Sequence, residues 1–188
     1  MHRRALRAGF TIIELLMVMA IIAIISAVAL PKLDFRTFKV DAAARGLASQ
    51  LAAAQRQAVT NQSNVNVLFD TVTNAIKVHE DVNNDNIQDP TERVRRYPLG
   101  DGVVFGVGST PTRVYTGGSI TFTRKQGTVP ELIFRRDGSA SESGAAYLTS
   151  LNSATNGRTK DGRSIEVILA TGRVAWYKYV GTTWVRKF

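Results

Sequence analysis

The residues able to do chemistry in this 188-residue chain fall into three groups. Glu14 stands alone as a carboxylate inside an otherwise uncharged apolar run, Phe10 to Leu30. The segment 80–92, EDVNNDNIQDPTE, sets Asp81, Asn83, Asp85, Asp89 and Glu92 at loop positions one, three, five, nine and twelve, with the Ile87 carbonyl at seven. Oxygen donors at that spacing suit calcium, which takes roughly six to eight of them. The last sixteen residues mix Arg173, Lys178, Arg186 and Lys187 with Trp176, Tyr177, Tyr179 and Trp184. Cations beside aromatic rings suit a nucleic acid, neutralising its phosphates and stacking on its bases.

Other chemistries have no residues to carry them. With no cysteine there is no thiol nucleophile, disulfide or cysteine metal site. His2 and His79 stand alone, so no histidine pair exists for zinc or acid–base work. Arg136-Asp137-Gly138 matches no phosphate cradle or nucleophile elbow. The expectation is a protein that is not an enzyme.

Two of the groups also have plainer readings. The acidic segment reads equally as a solvated Asx-rich turn, with Asn86 where a calcium loop has glycine and Pro90 stiffening the approach to Glu92. Five of the chain's 15 acidic residues crowd into it, however, and repel one another unless a cation sits among them. The basic terminus reads as a β-hairpin turning at Gly181, one face packed and one solvated.

Around these groups, composition sets the frame. A hydrophobic share of 44% and a charged share of 21% are ordinary for one globular domain, but the apolar residues crowd the first thirty positions. The net charge of +9 and pI near 10.3 favour anionic partners. The apolar run of 21 residues makes about 31 Å of helix, matching a bilayer core of roughly 30 Å. Arg3, Arg4 and Arg7 before it favour a cytoplasmic N-terminus, although Lys32, Arg36 and Lys39 beyond it nearly balance them. A secretory signal peptide, cleaved after Ala27-Val28-Ala29, is an alternative, but its apolar core would be shorter and free of charge. A plain membrane anchor leaves Glu14 unexplained, since a carboxylate in a spanning helix costs about 2.5–3.5 kcal/mol near the centre.

Gly9-Phe10-Thr11, Glu14 four places after Phe10, the apolar run and Pro31 together resemble the type IV prepilin signature of the pilin and pseudopilin superfamily. The resemblance implies that a prepilin peptidase cuts after Gly9 and methylates the new N-terminus at Phe10. It also makes physical sense of Glu14. Cleavage would create an ammonium about 6 Å of helix away, and in a bundle of subunits Glu14 of one helix would pair with the Phe10 amine of a neighbour, pinning their register. Losing the leader would leave a net charge of +6.

Beyond Pro31, expected to bend or loosen the helix, residues 41–61 place Leu47, Leu51, Ala54 and Ala58 at helical spacing, with Asp41 as an N-terminal charge. From Val65 the period becomes alternating, and strands are expected around 65–69, 76–78, 102–107, 119–124, 131–135, 145–149, 164–169 and 173–180. Turns are expected at Gly117-Gly118, Asp137-Gly138, the polar run 152–162 and Thr171-Gly172. The fold class is α+β, a long transmembrane-then-amphipathic helix packed on antiparallel sheet, which is the pilin lollipop plan. The expected divisions are leader 1–9, transmembrane helix 10–30, amphipathic extension 31–62 and globular domain 63–188.

The stretch LIFRRDGSASESGAAYL followed by SIEVILATGRV resembles the C-terminal domain of the GspH/FimT group of minor pseudopilins and minor pilins. The resemblance implies a structural subunit of a type II secretion pseudopilus or type IV pilus. It would be anchored in the bacterial inner membrane with its globular domain in the periplasm. Fellow pilins, prepilin peptidase, an assembly platform and an ATPase are the implied partners. Some FimT-like minor pilins bind DNA for transformation through a Gly-Arg-x-Arg stretch. Gly172-Arg173-Val174-Ala175 resembles it without the second arginine, so DNA capture stands as the alternative function.

Overall fold

The computed structural model describes residues 10–29, 35–157 and 161–187. Gly9, Leu30 and Pro31 lie outside the described residues, and with them the expected cleavage point and bend. The chain divides into two compact units, one ending at Phe35 and one running Arg36–Phe188.

The first unit contains helix α1, Ile12–Ala29. Thr11 caps it, its hydroxyl accepting from the Glu14 amide at 3.2 Å while Glu14 Oε2 faces the Thr11 amide at 3.5 Å. This Thr-x-x-Glu capping box satisfies two donors that a helix start leaves open. Eighteen residues make about 27 Å of helix. Among the described residues no helix is long and apolar enough to cross a membrane.

The second unit is built on helix α2, Phe35–Asn61. Its buried stripe comprises Val40, Ala43, Ala44, Leu47, Leu51, Ala54 and Ala58. Small alanines let the sheets approach the helix closely, and the two leucines fill the space between. The helix stops where Gln62 turns left-handed, at φ 54°, and its side-chain Nε2 donates to the Val59 carbonyl at 2.7 Å. Asp41 therefore lies in the second turn rather than at the N-terminus.

The strands are β1 Asn64–Asp70, β2 Ala75–Asp81, β3 Val94–Pro98, β4 Val103–Phe105, β5 Lys125–Gln126, β6 Val129–Phe134, β7 Gly144–Ser150, β8 Arg163–Val167, β9 Val174–Val180 and β10 Thr183–Lys187, with a short helix α3 at Leu151–Asn156. They form two antiparallel sheets, ordered β3-β2-β1-β6-β5 and β10-β9-β8-β7-β4. Val67, Phe69 and Leu132 of one sheet and Leu148, Ile165 and Trp176 of the other share a single core with α2. The α+β class and the helix on antiparallel sheet are as expected.

Three local expectations need correction. Residues 119–124 make no strand: Ile120 forms one isolated bridge to Ala146, and Glu142 instead caps the amides of Thr123 and Arg124 at 3.0 Å. Strand β3 was not expected, because Arg93, Arg95 and Arg96 hide its alternation; as an edge strand it needs little apolar surface. The run read as a turn at 152–162 contains α3, whose N-cap Ser150 accepts from the Ser153 amide at 3.1 Å and whose end is the left-handed Gly157.

Candidate functional site

The three groups of chemistry-bearing residues lie in separate places. Phe10 is exposed and precedes α1. Glu14 is exposed in the first turn, where its carboxylate serves the Thr11 amide of its own chain.

The acidic loop joins β2 to β3. Asp81, fully buried at the end of β2, accepts from the amides of Asp85 and Asn86 at 3.1 and 2.9 Å. Asn84 and Asn86 both adopt φ 62°, so Asn86 takes the left-handed conformation that glycine has in calcium loops. Asp85 accepts from the Ile87 amide at 2.7 Å, and the Asn83 amide group reaches Asp85 and Asp89 at 2.8 and 3.1 Å. Glu92 closes the loop, accepting from the amides of Val82 and Asp89 and lying 2.5 Å from His79 Nε2. The Asp89 amide, the His79 ring and the Val82 amide together hold the Glu92 carboxyl at about 2. The side chains fit calcium in being oxygen donors on a curled loop, but in this arrangement they serve the loop's own amides. Among the described residues no group of three or more histidine or acidic side chains is set to hold a metal ion.

The basic terminus is the expected hairpin, turning at Gly181 with φ 63°. The pleat divides its cations between two faces. Lys178 points toward α2, where its ammonium lies 3.0 Å from Asp41. Arg186 sits opposite Tyr177, and Trp184 opposite Tyr179, on the other face. Arg173, exposed, precedes β9, and Lys187, also exposed, lies opposite the buried Trp176. The structure does not gather Arg173, Lys178, Arg186 and Lys187 into one patch.

The aromatic rings have structural partners. The loop before β5 is clasped to the outer face of the second sheet: Trp184 Nε1 donates to the Pro111 carbonyl at 3.2 Å, and Tyr147 accepts from the Arg113 amide while donating to the Tyr115 carbonyl. Arg113 lies 3.8 Å over the Tyr177 ring and pairs with Glu166 at 2.5 Å. Burial pushes the Tyr147 hydroxyl up from its ordinary value.

Sequence reasoning missed the polar clamp that fixes α2 to its sheets. Asp41 binds Arg163 of β8 at 2.6 Å as well as Lys178 of β9, and Arg163 is fully buried. One turn earlier, Thr37 donates to Asp161 at 3.3 Å, and Asp161 also accepts from Ser150 at 2.6 Å. At the far end of α2, Gln55 donates to the carbonyls of Gly138 and Thr171 at 3.0 and 2.6 Å. It thereby joins the two glycine turns that the sequence marked.

Residues 4–30 match the prokaryotic N-terminal methylation motif, and residues 43–172 match the family model described as type II transport protein GspH. No curated protein matches the chain in sequence. Among solved structures, the minor pseudopilin EpsH from the Type 2 Secretion System of Vibrio cholerae is similar at 10% identity and a TM-score of 0.48, covering 74% of this chain and 97% of that chain.

Proposed function

The chain belongs to the type II transport protein GspH family, and we propose that it serves there as a minor pseudopilin, a structural subunit of a secretion filament. The observation that carries this reading is the methylation-motif match over 4–30, joined in one chain to the GspH match over 43–172. On this reading the prepilin peptidase removes the leader after Gly9 and methylates Phe10. The Phe10–Leu30 run lies in the inner membrane, and the unit from Arg36 stands in the periplasm.

Glu14 then has two successive roles. In the lone subunit it completes the Thr11 capping box. In the filament it exchanges that neutral donor for the Phe10 ammonium of a neighbouring subunit, a stronger charge-assisted bond. The test is incorporation of Glu14→Ala into filaments assembled with the fellow pseudopilins. Loss of incorporation supports the pairing, and normal incorporation removes it.

A second reading, calcium held by Asp81, Asn83, Asp85, Asp89 and Glu92 with the Ile87 carbonyl, is favoured by the left-handed Asn86 at loop position six. Calcium would supply the positive charge that the five carboxylates lack. DNA capture has no comparable support, since its proposed cations lie on separate faces and Lys178 is engaged by Asp41.

A further inference from the structure

We propose that two adjoining cavities beside α2 form one site for an anionic phospholipid, with the headgroup on Arg36 and Lys39 and the start of an acyl chain along the helix. The first cavity, about 380 Å³, is lined by Arg36, Lys39, Ser150, Leu151, Asn152 and Thr155. The second, about 490 Å³, is a largely apolar groove running past Ala42, Ala43, Gly46 and Leu47, with Tyr97 and Leu99 as its far wall. Both volumes fall in the range of ligand pockets, roughly 300–1,000 Å³. Lys39 and Asp101 line both cavities, so the apolar groove opens onto the basic one at a cation.

Polarity selects the ligand. Arg36 and Lys39 are exposed, and neither is in an ion pair among the described residues. A wholly apolar ligand would engage neither of these cations, and Asp101 is the one acidic side chain of the two linings. A free phosphate would leave the groove unfilled and would meet Asp101, which repels a bare anion but accepts from a headgroup hydroxyl. An anionic phospholipid satisfies both cavities at once. Leu151, 56% exposed beside the basic cavity, adds an apolar side chain of the kind that enters a bilayer surface.

Place in the chain supports the same ligand. Arg36 follows Leu30, the last residue of the apolar run, by six residues of sequence. The proposal rests on the reading of that run as membrane-embedded.

The test uses the full chain in vesicles of phosphatidylcholine with phosphatidylglycerol. The phosphatidylglycerol carries a photoactivatable acyl chain, and the crosslinked peptides are mapped by mass spectrometry. Labelling is expected in 10–29, from the embedded run, and also in 42–50 and 97–103, from the groove. Arg36→Gln with Lys39→Gln should cut groove labelling about thirtyfold, the effect of two basic groups at an anionic surface. Gly46→Leu should abolish it by filling the groove. A Cβ there meets nothing within 4 Å and leucine favours helix, so the substitution suits the backbone of α2.

Label confined to 10–29, or equal groove labelling from photoactivatable phosphatidylcholine, overturns the lipid site and leaves the membrane reading standing. Absence of label in 10–29 overturns both. Loss of groove labelling in excess inorganic phosphate, at constant ionic strength, assigns the cavity to free phosphate and likewise overturns the proposal.

Discussion

Asp41 on α2 accepts a hydrogen bond from Arg163 Nε on β8 at 2.6 Å, across 122 residues of sequence. The guanidinium is fully buried, so the carboxylate is the charge that allows it to be there. The same carboxylate meets Lys178 on β9, tying one turn of helix to two strands. The clamp thus fixes α2 to the second sheet of its own unit.

Removing the carboxylate with Asp41→Asn should cost about 3–5 kcal/mol, because the buried Arg163 would lose the charged acceptor 2.6 Å from its Nε. Urea denaturation of the purified protein checks it. Combining Asp41→Asn with Arg163→Met should recover part of the loss, since an apolar side chain carries no charge to bury. Burial raises the Asp41 pKa, but the bonds and charges of Arg163 and Lys178 outweigh it and leave the value below 3.8. A depressed folded value means that the clamp's contribution is present above the unfolded value and lost as pH falls through the folded one. Wild-type protein should therefore lose stability on acidification below pH 4 more steeply than Asp41→Asn.

Gly172 adopts φ 58°, and a Cβ there would run into the Gly138 carbonyl and lie 2.7 Å from Gln55 Nε2. Gly172→Ala should cost about 1–3 kcal/mol from backbone strain alone, and more from the displaced Gln55 bonds. Gln55→Ala, which removes the bonds without the strain, should cost about 1–3 kcal/mol from two carbonyls left open. Thermal melts of the two variants give the comparison, and a neutral Gly172→Ala would contradict the close approach.

How much of this was legible from sequence varies with the range of the interaction. The α2 stripe from Leu47 to Ala58 was readable because helical packing repeats locally, and so was the Gly181 hairpin. Thr11 and Glu14 form a capping box whose Thr-x-x-Glu signature was present in the sequence, but the carboxylate invited a longer-range explanation and the local one was missed. The caps of α3, Ser150 and Gly157, were equally visible inside a run rich in turn formers. The Asp41 clamp was not legible, because nothing local distinguishes a carboxylate at a helix start from one that waits for two strands more than 120 residues away.

Asn66 is fully buried in β1, opposite His79 and Ile133, and its side-chain amide finds no hydrogen-bond partner among the described residues. An unsatisfied buried amide costs about 1–3 kcal/mol, and valine suits a strand better. Asn66→Val should stabilise the protein by about 1 kcal/mol in urea denaturation. Destabilisation would mean that the amide has a partner after all.

Glu92 closes the acidic loop, and its pKa is lowered from 4.5 to about 2. Its contribution is therefore present above the unfolded value near 4.5 and fades as pH falls toward 2. At neutral pH, Glu92→Gln should speed hydrogen exchange at the Val82 and Asp89 amides about tenfold or more, as a charged acceptor becomes neutral. The calcium reading predicts a saturable heat from calorimetry with millimolar calcium in the wild type and none in Glu92→Gln. No heat in the wild type would return the loop to an ordinary turn.

The central claim is tested most directly by intact-mass and N-terminal peptide mass spectrometry of the chain extracted from membranes of cells that hold the prepilin peptidase. The account predicts a mature chain that begins at Phe10 and carries one added methyl group on its N-terminus. A chain beginning after Ala29, or one retaining the leader with an unmodified Phe10, would contradict it.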